Sequence, residues 1–157
     1  MKVVKKDGDH RVFQISKREK RLLFVILKLY PLIPTAHHRL SKTADPKEVE
    51  ADQRLLEEAL AEQKKESKAH LMALLNEEQR FVEADRGYRL TLSIHQIDWL
   101  LQVLNDIRVG CWLKLGCPDK KTGKPVEVNR KNVRYFFVME LCVLYQAALL
   151  QSFDQPM

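Results

Sequence analysis

Residues 133–153 form a strongly apolar stretch near the end of the sequence. In 135–153 the charged or amide side chains are Glu140, Gln146 and Gln151, and these polar groups argue against a membrane span of that length. Because the apolar side chains recur nearly all round a helix, the pattern is typical of a helix surrounded by protein. The sequence therefore predicts a buried helix over 130–153, around which the rest of the chain packs.

Capping motifs predict where two other helices begin. Ser16 is followed three residues later by Glu19, and Ser93 by Gln96, so that each serine and its partner satisfy free amide groups of a first turn. Asp45, which precedes a proline, predicts the start of a further helix. Residues 61–69 contain almost no large apolar side chain, so the second helical region is either one long arm or two consecutive helices. The predicted helices span 16–30, 45–86, 93–115 and 130–153.

Short strands are predicted at two places. Residues 1–15 suit a β-hairpin, because Gly8 after Asp7 supplies the positive φ of a tight turn. The alternating pattern over 88–92 predicts a third strand that pairs with the hairpin, and 117–128 has the composition of an exposed loop. No internal repeat is evident. The predicted fold class is mainly α: one domain over 1–157, a bundle of about four helices around the apolar C-terminal helix, with a small antiparallel β-sheet.

Charge is unevenly distributed along the chain. Lys and Arg number 27 against 21 Asp and Glu, a net charge of +6, but 1–44 carries +8 and 45–98 carries −5. The basic part includes a candidate surface at the start of the first helix, and such a surface favours phosphate groups. Its residues are Lys17, Arg18, Lys20 and Arg21.

A group of polar residues is expected between the third and last helices. Arg108 continues an otherwise apolar stripe and Glu140 lies among apolar neighbours, so we expect these two side chains to pair across the helix interface. The predicted buried polar cluster, with a structural role, comprises Asn105, Asp106, Arg108 and Glu140.

No motif for catalysis or for ligand binding emerges from the sequence. Cys111, Cys117 and Cys142 form no CxxC pair, and no His lies at ligand spacing from them. Nucleophile motifs and phosphate-binding glycine loops do not occur. We expect no catalytic residue, no metal and no cofactor. The start of the chain has no apolar segment typical of a secretion signal, which favours a cytoplasmic location.

The segment from Trp99 to Arg108, Trp-Leu-Leu-Gln-Val-Leu-Asn-Asp-Ile-Arg, resembles the W-L-x-x-L-N-D-x-R core of a bacterial family, domain of unknown function two thousand and seventeen, with one residue more between Leu100 and Leu104. The likeness in order and spacing covers most of 16–153. The family's Pro-rich piece is replaced here by Ser41-Lys42-Thr43. The dipeptides outside this segment that are similar to the family's pattern are Arg39-Leu40, Arg54-Leu55, Leu115-Gly116 and Tyr145-Gln146.

The resemblance implies a cytoplasmic bacterial protein, and the occurrence of some members near the adaptor of the Clp protease implies a link to protein turnover. From the residues we expect a non-enzymatic protein-interaction or adaptor module that uses the acidic long helix, with either another protein or a second copy of the chain, as a homodimer, for its partner. The alternative is a nucleic-acid-associated protein that uses the basic N-terminal surface. No membrane partner is expected.

Overall fold

The computed structural model describes residues 1–32, 46–118 and 127–154. The predicted loop over 117–128 lies mostly outside these residues, as do Asp45, Arg39-Leu40 and Ser41-Lys42-Thr43. Within these described residues, four strands and four helices follow one another. They are β1 Lys2–Asp7, β2 His10–Ser16, α1 Lys17–Leu27, α2 Pro46–Leu75, β3 Phe81–Ala84, β4 Gly87–Ser93, α3 Ile94–Lys114 and α4 Val133–Asp154.

The four strands form one antiparallel sheet in the order β1-β2-β4-β3. On one face of its two central strands, Phe13, Ile15, Leu90 and Leu92 are buried and belong to the same core as the buried side chains of the helices. The opposite face carries residues such as Arg89, which is exposed. The helices therefore pack on one side of the sheet, because only that face supplies apolar side chains to the core.

This architecture corrects the predicted fold class. The sheet has four strands and the core lies between it and the helices, so the protein is not a bundle around the C-terminal helix. Helix α4 packs against α3 and β1 at one side of the molecule, and large apolar side chains such as Phe137 and Leu144 remain exposed. Residues 81–84, which were assigned to a long helix over 45–86, form strand β3.

Several local predictions are confirmed. Asp7 and His10 close the first hairpin, and 88–92 lies inside β4, which pairs with β2. Ser16 and Ser93 are the N-caps of α1 and α3, and both form complete capping boxes. Helix α2 is a single helix of 30 residues, which ends at Leu75 rather than near 85.

The structure contains an internal repeat that the sequence analysis missed. A hairpin, a capping serine and a helix occur twice, and equivalent positions are 77 residues apart. Asp7 pairs with His10 in the first hairpin as Ala84 pairs with Gly87 in the second. Gly8 has a φ of 55° and its equivalent, Asp85, a φ of 54°. Further equivalent pairs, all buried, are Phe13 and Leu90, Ile15 and Leu92, Leu23 and Leu100, Ile26 and Val103, Leu27 and Leu104, and Tyr30 and Ile107.

The repeat gives the sheet an approximate two-fold symmetry. Strands β2 and β4 are equivalent, they pair with each other, and the hairpins place β1 and β3 at the two outer edges. Exchange of the two repeats leaves the strand order unchanged. One irregularity distinguishes them: a register shift between Val3 and Lys5 in β1, which β3 lacks. The sequence hides the repeat because most equivalent residues share burial but not identity, with Ser16 and Ser93, Leu23 and Leu100, and Leu27 and Leu104 as the identical pairs over 2–30 and 79–107.

Candidate functional site: the acidic face of helix α2

The predicted buried polar cluster is not buried. Asn105, Asp106 and Glu140 are exposed, and Arg108 is half-buried. Arg108 donates a hydrogen bond to Asn105 Oδ1 at 3.0 Å, and among the described residues no ion pair joins it to Glu140. The expected pair does not form, because Glu140 lies on the side of α4 that faces away from α3. Asp106 instead faces α2, where its carboxylate lies 3.9 Å from Lys64 Nζ.

The candidate basic surface is present only in part. Lys17, Arg18 and Arg21 are exposed on the first turns of α1. The ammonium group of Lys20 instead lies over the rings of Phe81 and Tyr88, at 4.5 and 4.1 Å from their centroids. Such cation–π contacts bind Lys20 to the sheet, so the structure does not bring all four basic side chains together for a ligand.

An open groove of about 560 Å³ lies beside the capping box of α1. Its walls include Lys2, Glu19 and Arg86. The Glu19 carboxylate accepts hydrogen bonds from the Ser16 amide, at 2.8 Å, and from the terminal ammonium of Met1. Burial alone would raise the pKa of Glu19, but these contacts outweigh it and lower the pKa below its ordinary value of 4.5. Glu19 is therefore part of the α1 capping box, and its carboxylate already has hydrogen-bond partners on the groove wall.

Helix α2 carries an acidic surface, which we call the acidic face. Glu48 is in the first turn, where a negative charge is favourable next to the helix dipole. The spacing of three or four residues places its members on one side of the helix, and all of them are exposed. The acidic face comprises Glu48, Asp52, Leu55, Glu58, Glu62 and Glu66.

The exposure of Leu55 distinguishes this face from an ordinary solvated one. Its side chain is 64% exposed, and Asp52 and Glu58 lie three residues before and after it on the same side of the helix, with Glu62 one turn further along. An apolar centre with a polar rim is the arrangement found in protein–protein interfaces. The sequence indicated the acidic helix but not the role of Leu55, whose spacing of three and seven residues from the carboxylates was the available signal.

The two ends of α2 differ in how they are held. Leu71, Leu74 and Leu75 are buried in the last turns, and Lys68 Nζ donates to the Lys28 carbonyl of the α1 end at 2.8 Å. Between Lys47 and His70 no described residue is fully buried. The core therefore anchors the C-terminal third of the helix, and the acidic face belongs to the part that leaves most of its surface to solvent.

Metal ligation finds no support in the described part of the chain. Over 1–32, 46–118 and 127–154, no three His, Cys, Asp or Glu side chains are grouped as they would be around a metal ion. Cys111 and Cys142 are buried, and burial raises their pKa values to about 11 and about 12. Such thiols are protonated at neutral pH and are poor ligands and nucleophiles.

Helix α4 is, among the described helices, the one that is long and apolar enough to cross a membrane. A core helix of a soluble protein passes the same test of length and composition, so this property alone is weak evidence for a membrane span. A third of its most apolar stretch is buried in the protein. The predicted burial of this helix is therefore true of one face only.

Comparison with known proteins adds no relative: no protein-family model, no curated protein and no solved structure matches the chain.

Proposed function

We propose that this protein is a protein-interaction module that binds a basic segment of a partner protein through the acidic face of α2. The observation that carries the proposal is the exposed Leu55 among aligned carboxylates on a helix whose far end is anchored in the core. An apolar contact there excludes water at the centre of an interface, and the carboxylates around it select a positively charged partner.

The length of α2 and its buried C-terminal end support this function. A helix of 30 residues is about 45 Å long, since each residue adds about 1.5 Å. Its buried end positions the acidic face before any partner arrives, which lowers the entropic cost of binding. Unlike charges also raise the rate of encounter, and that effect weakens with salt.

Affinity capture with matched charge-reversal variants tests the proposal. The tagged full chain is used to capture proteins from its native extract, with and without nuclease, and the bound proteins are identified by mass spectrometry. The test variant carries Glu58→Lys and Glu62→Lys on the acidic face. The control carries Lys17→Glu and Arg18→Glu on the exposed turns of α1, so that the same number of charges is reversed elsewhere.

We expect a discrete set of proteins that survives nuclease, is retained by the α1 variant and is lost with the α2 variant. Replacement of Leu55 by Ser should weaken the same partners without a change of charge. Partners that disappear with nuclease and with the α1 variant would overturn the proposal and favour nucleic-acid binding at the basic surface. Partners that both variants retain would also contradict it, because the acidic face would then not be the site.

A further inference from the structure

Helix α4 has an exposed apolar face that the fold itself does not require. Phe137 and Leu144 are 66% and 65% exposed, and Val143 and Leu150 are also exposed. These residues recur at helical spacing on the side of α4 away from α3, together with the polar Glu140 and Gln151. We call this surface the outer face of α4.

The internal repeat supplies a comparison for this surface. At the offset of 77 residues, 56–75 of α2 align with 133–152 of α4, and Leu75 and Ser152 are both buried, but α4 packs closely against α3 and β1, whereas α2 does not pack closely against α1 or β3. The residues of α2 equivalent to Val143, Ala147 and Leu150 are Glu66, His70 and Ala73, all exposed. At these three aligned positions, the exposed side of α2 is therefore more polar than the outer face of α4.

Charge along α4 points to the occupant. The first turn carries the exposed Arg134, and the exposed Arg130 and Lys131 lie just before the helix, whereas the last turn carries the exposed Asp154. If two copies of the outer face meet with antiparallel helices, the basic end of each lies against the acidic end of the other. The positive end of each helix dipole then also lies beside the negative end of the other, so the side-chain charges and the dipoles both favour this arrangement. A parallel arrangement would bring the like-charged ends together.

A lipid surface fits the same residues less well. Helices that lie on membranes are rich in Lys and Arg along the border of their apolar face. In α4 the basic side chains are confined to one end, while Glu140 lies between Phe137 and Leu144 in the apolar region and Asp154 closes the face. Anionic headgroups would repel both carboxylates.

From these observations we infer that the protein forms a two-fold symmetric homodimer through antiparallel packing of the outer faces of α4, with the axis near Leu144 and Ala147. Small Ala147 lets the two helices approach closely. The inference is independent of the proposed function, since the acidic face of α2 lies on another helix and a dimer would present two such faces.

Sedimentation equilibrium of the full chain over a range of concentrations tests the association. We expect a dimer for the native protein and a monomer for Leu144→Glu, with an unchanged circular dichroism spectrum because Leu144 is mostly exposed. The control is Val25→Glu on α1, where an apolar side chain 52% exposed lies away from α4. It should remain dimeric. A monomeric native protein, or a dimer that Leu144→Glu leaves intact, would overturn the inference.

Cysteine cross-linking tests the antiparallel direction. In a Cys117→Ser background, which removes the exposed native thiol, Ala147→Cys should form a disulfide-linked dimer by itself. Phe137→Cys should not, because two copies would lie more than about 20 Å apart at 1.5 Å per residue from the axis. A mixture of Phe137→Cys and Asp154→Cys, which lie on the outer face at equal distances from the axis, should cross-link between the two variants. Self-linking of Phe137→Cys would indicate parallel helices and contradict the inference.

A vesicle assay tests whether lipid, rather than a second copy of the chain, covers the outer face of α4. The native chain is mixed with phosphatidylcholine vesicles and with vesicles that also contain phosphatidylserine, and bound protein is separated by flotation. We expect no flotation of the dimer with either. Flotation of the native chain that Leu144→Glu abolishes would assign the outer face of α4 to lipid and overturn the dimer.

Discussion

Phe13 and Leu90 face each other across the central strand pair and are also each other's equivalents in the two repeats. They are 77 residues apart, as are Ser16 and Ser93, so the approximate two-fold axis of the sheet passes through this pair. Both side chains are fully buried. Phe13 and Leu90 are therefore the central pair of the seven that join β2 to β4, and their side chains lie between the sheet and the helices that cover it.

Truncation at this contact should be among the most destabilising changes in the protein. We expect Phe13→Ala to lower the free energy of unfolding by about 3–5 kcal/mol and Leu90→Ala by about 2–5 kcal/mol, because each leaves a cavity in the core. The double variant should show a coupling energy of about 0.5–3 kcal/mol, as neighbours in contact do. Urea denaturation measures all three.

The control for these truncations is Val82→Ala on β3, which removes an exposed side chain from an outer strand. It should change stability by no more than about 0.5 kcal/mol. Losses below about 1 kcal/mol for both core variants would contradict the assignment of Phe13 and Leu90 to the centre of the core.

The two capping serines should contribute equally and independently. Ser16 Oγ accepts from the Glu19 amide at 3.1 Å and Ser93 Oγ from the Gln96 amide at 3.2 Å. We expect Ser16→Ala and Ser93→Ala each to cost about 1 kcal/mol, and the losses to add in the double variant because they cap different helices. Thr at either position retains the acceptor and should restore most of the stability, as thermal unfolding would show. A neutral Ser→Ala change would refute the role of that cap.

The sequence was most informative where one local interaction decides the structure. Gly8 predicted the first turn, and the capping boxes predicted the first residues of α1 and α3, since both depend on residues close in sequence. The second hairpin carries no such signal. Its turn has Asp85 in the left-handed conformation, and Gln79 before β3 also has a positive φ of 67°. Without glycines at these positions, the helical pattern of 45–86 had no visible end before Gly87.

The placement of α4 could not be derived from its own residues. A helix that is apolar all round contains no information about which side meets the core, and that choice depends on the sheet and on α3. The predicted polar cluster failed for the same reason, because the pairing of Arg108 with Glu140 assumed a helix rotation that tertiary packing decides. The acidic face of α2 could be predicted because it depends only on spacing within one helix.

Gly87 was interpreted as a helix stop, and the structure gives it a different role with a testable consequence. It lies in β4, where a Cβ atom would lie 2.3 Å from the carbonyl oxygen of Ile15. That oxygen belongs to the backbone of the central strand, so it cannot move without disturbing the pairing. We expect Gly87→Ala to cost about 1–3 kcal/mol in urea denaturation. The neighbouring Arg86→Ala should be nearly neutral, and an equally neutral Gly87→Ala would contradict this close approach.

Glu19 should make stability depend on pH in the acidic range. Burial opposes its ionisation, but the contacts with the Met1 ammonium and the Ser16 amide lower its pKa in the folded protein. A carboxyl whose folded pKa is lowered stabilises the fold above its unfolded pKa, and this contribution is lost as the pH falls through the folded pKa. The stability difference between the native protein and Glu19→Gln should therefore be largest at neutral pH and shrink below about pH 4.5. Urea titrations at a series of pH values measure it, and a difference independent of pH would contradict the assignment.

The three cysteines should differ sharply in reactivity. Burial raises the pKa of Cys111 to about 11, and burial together with the nearby Cys111 thiol raises that of Cys142 to about 12, whereas Cys117 is exposed. Because only the thiolate reacts, a thiol reagent at neutral pH should modify Cys117 alone in the folded protein and all three cysteines in urea. Mass spectrometry of the digested, labelled chain identifies the sites, and Cys117→Ser should abolish labelling of the native state. Rapid native labelling of Cys142 would show that α4 separates from α3 on the timescale of the reaction, and the packing of that helix pair described above would have to be revised.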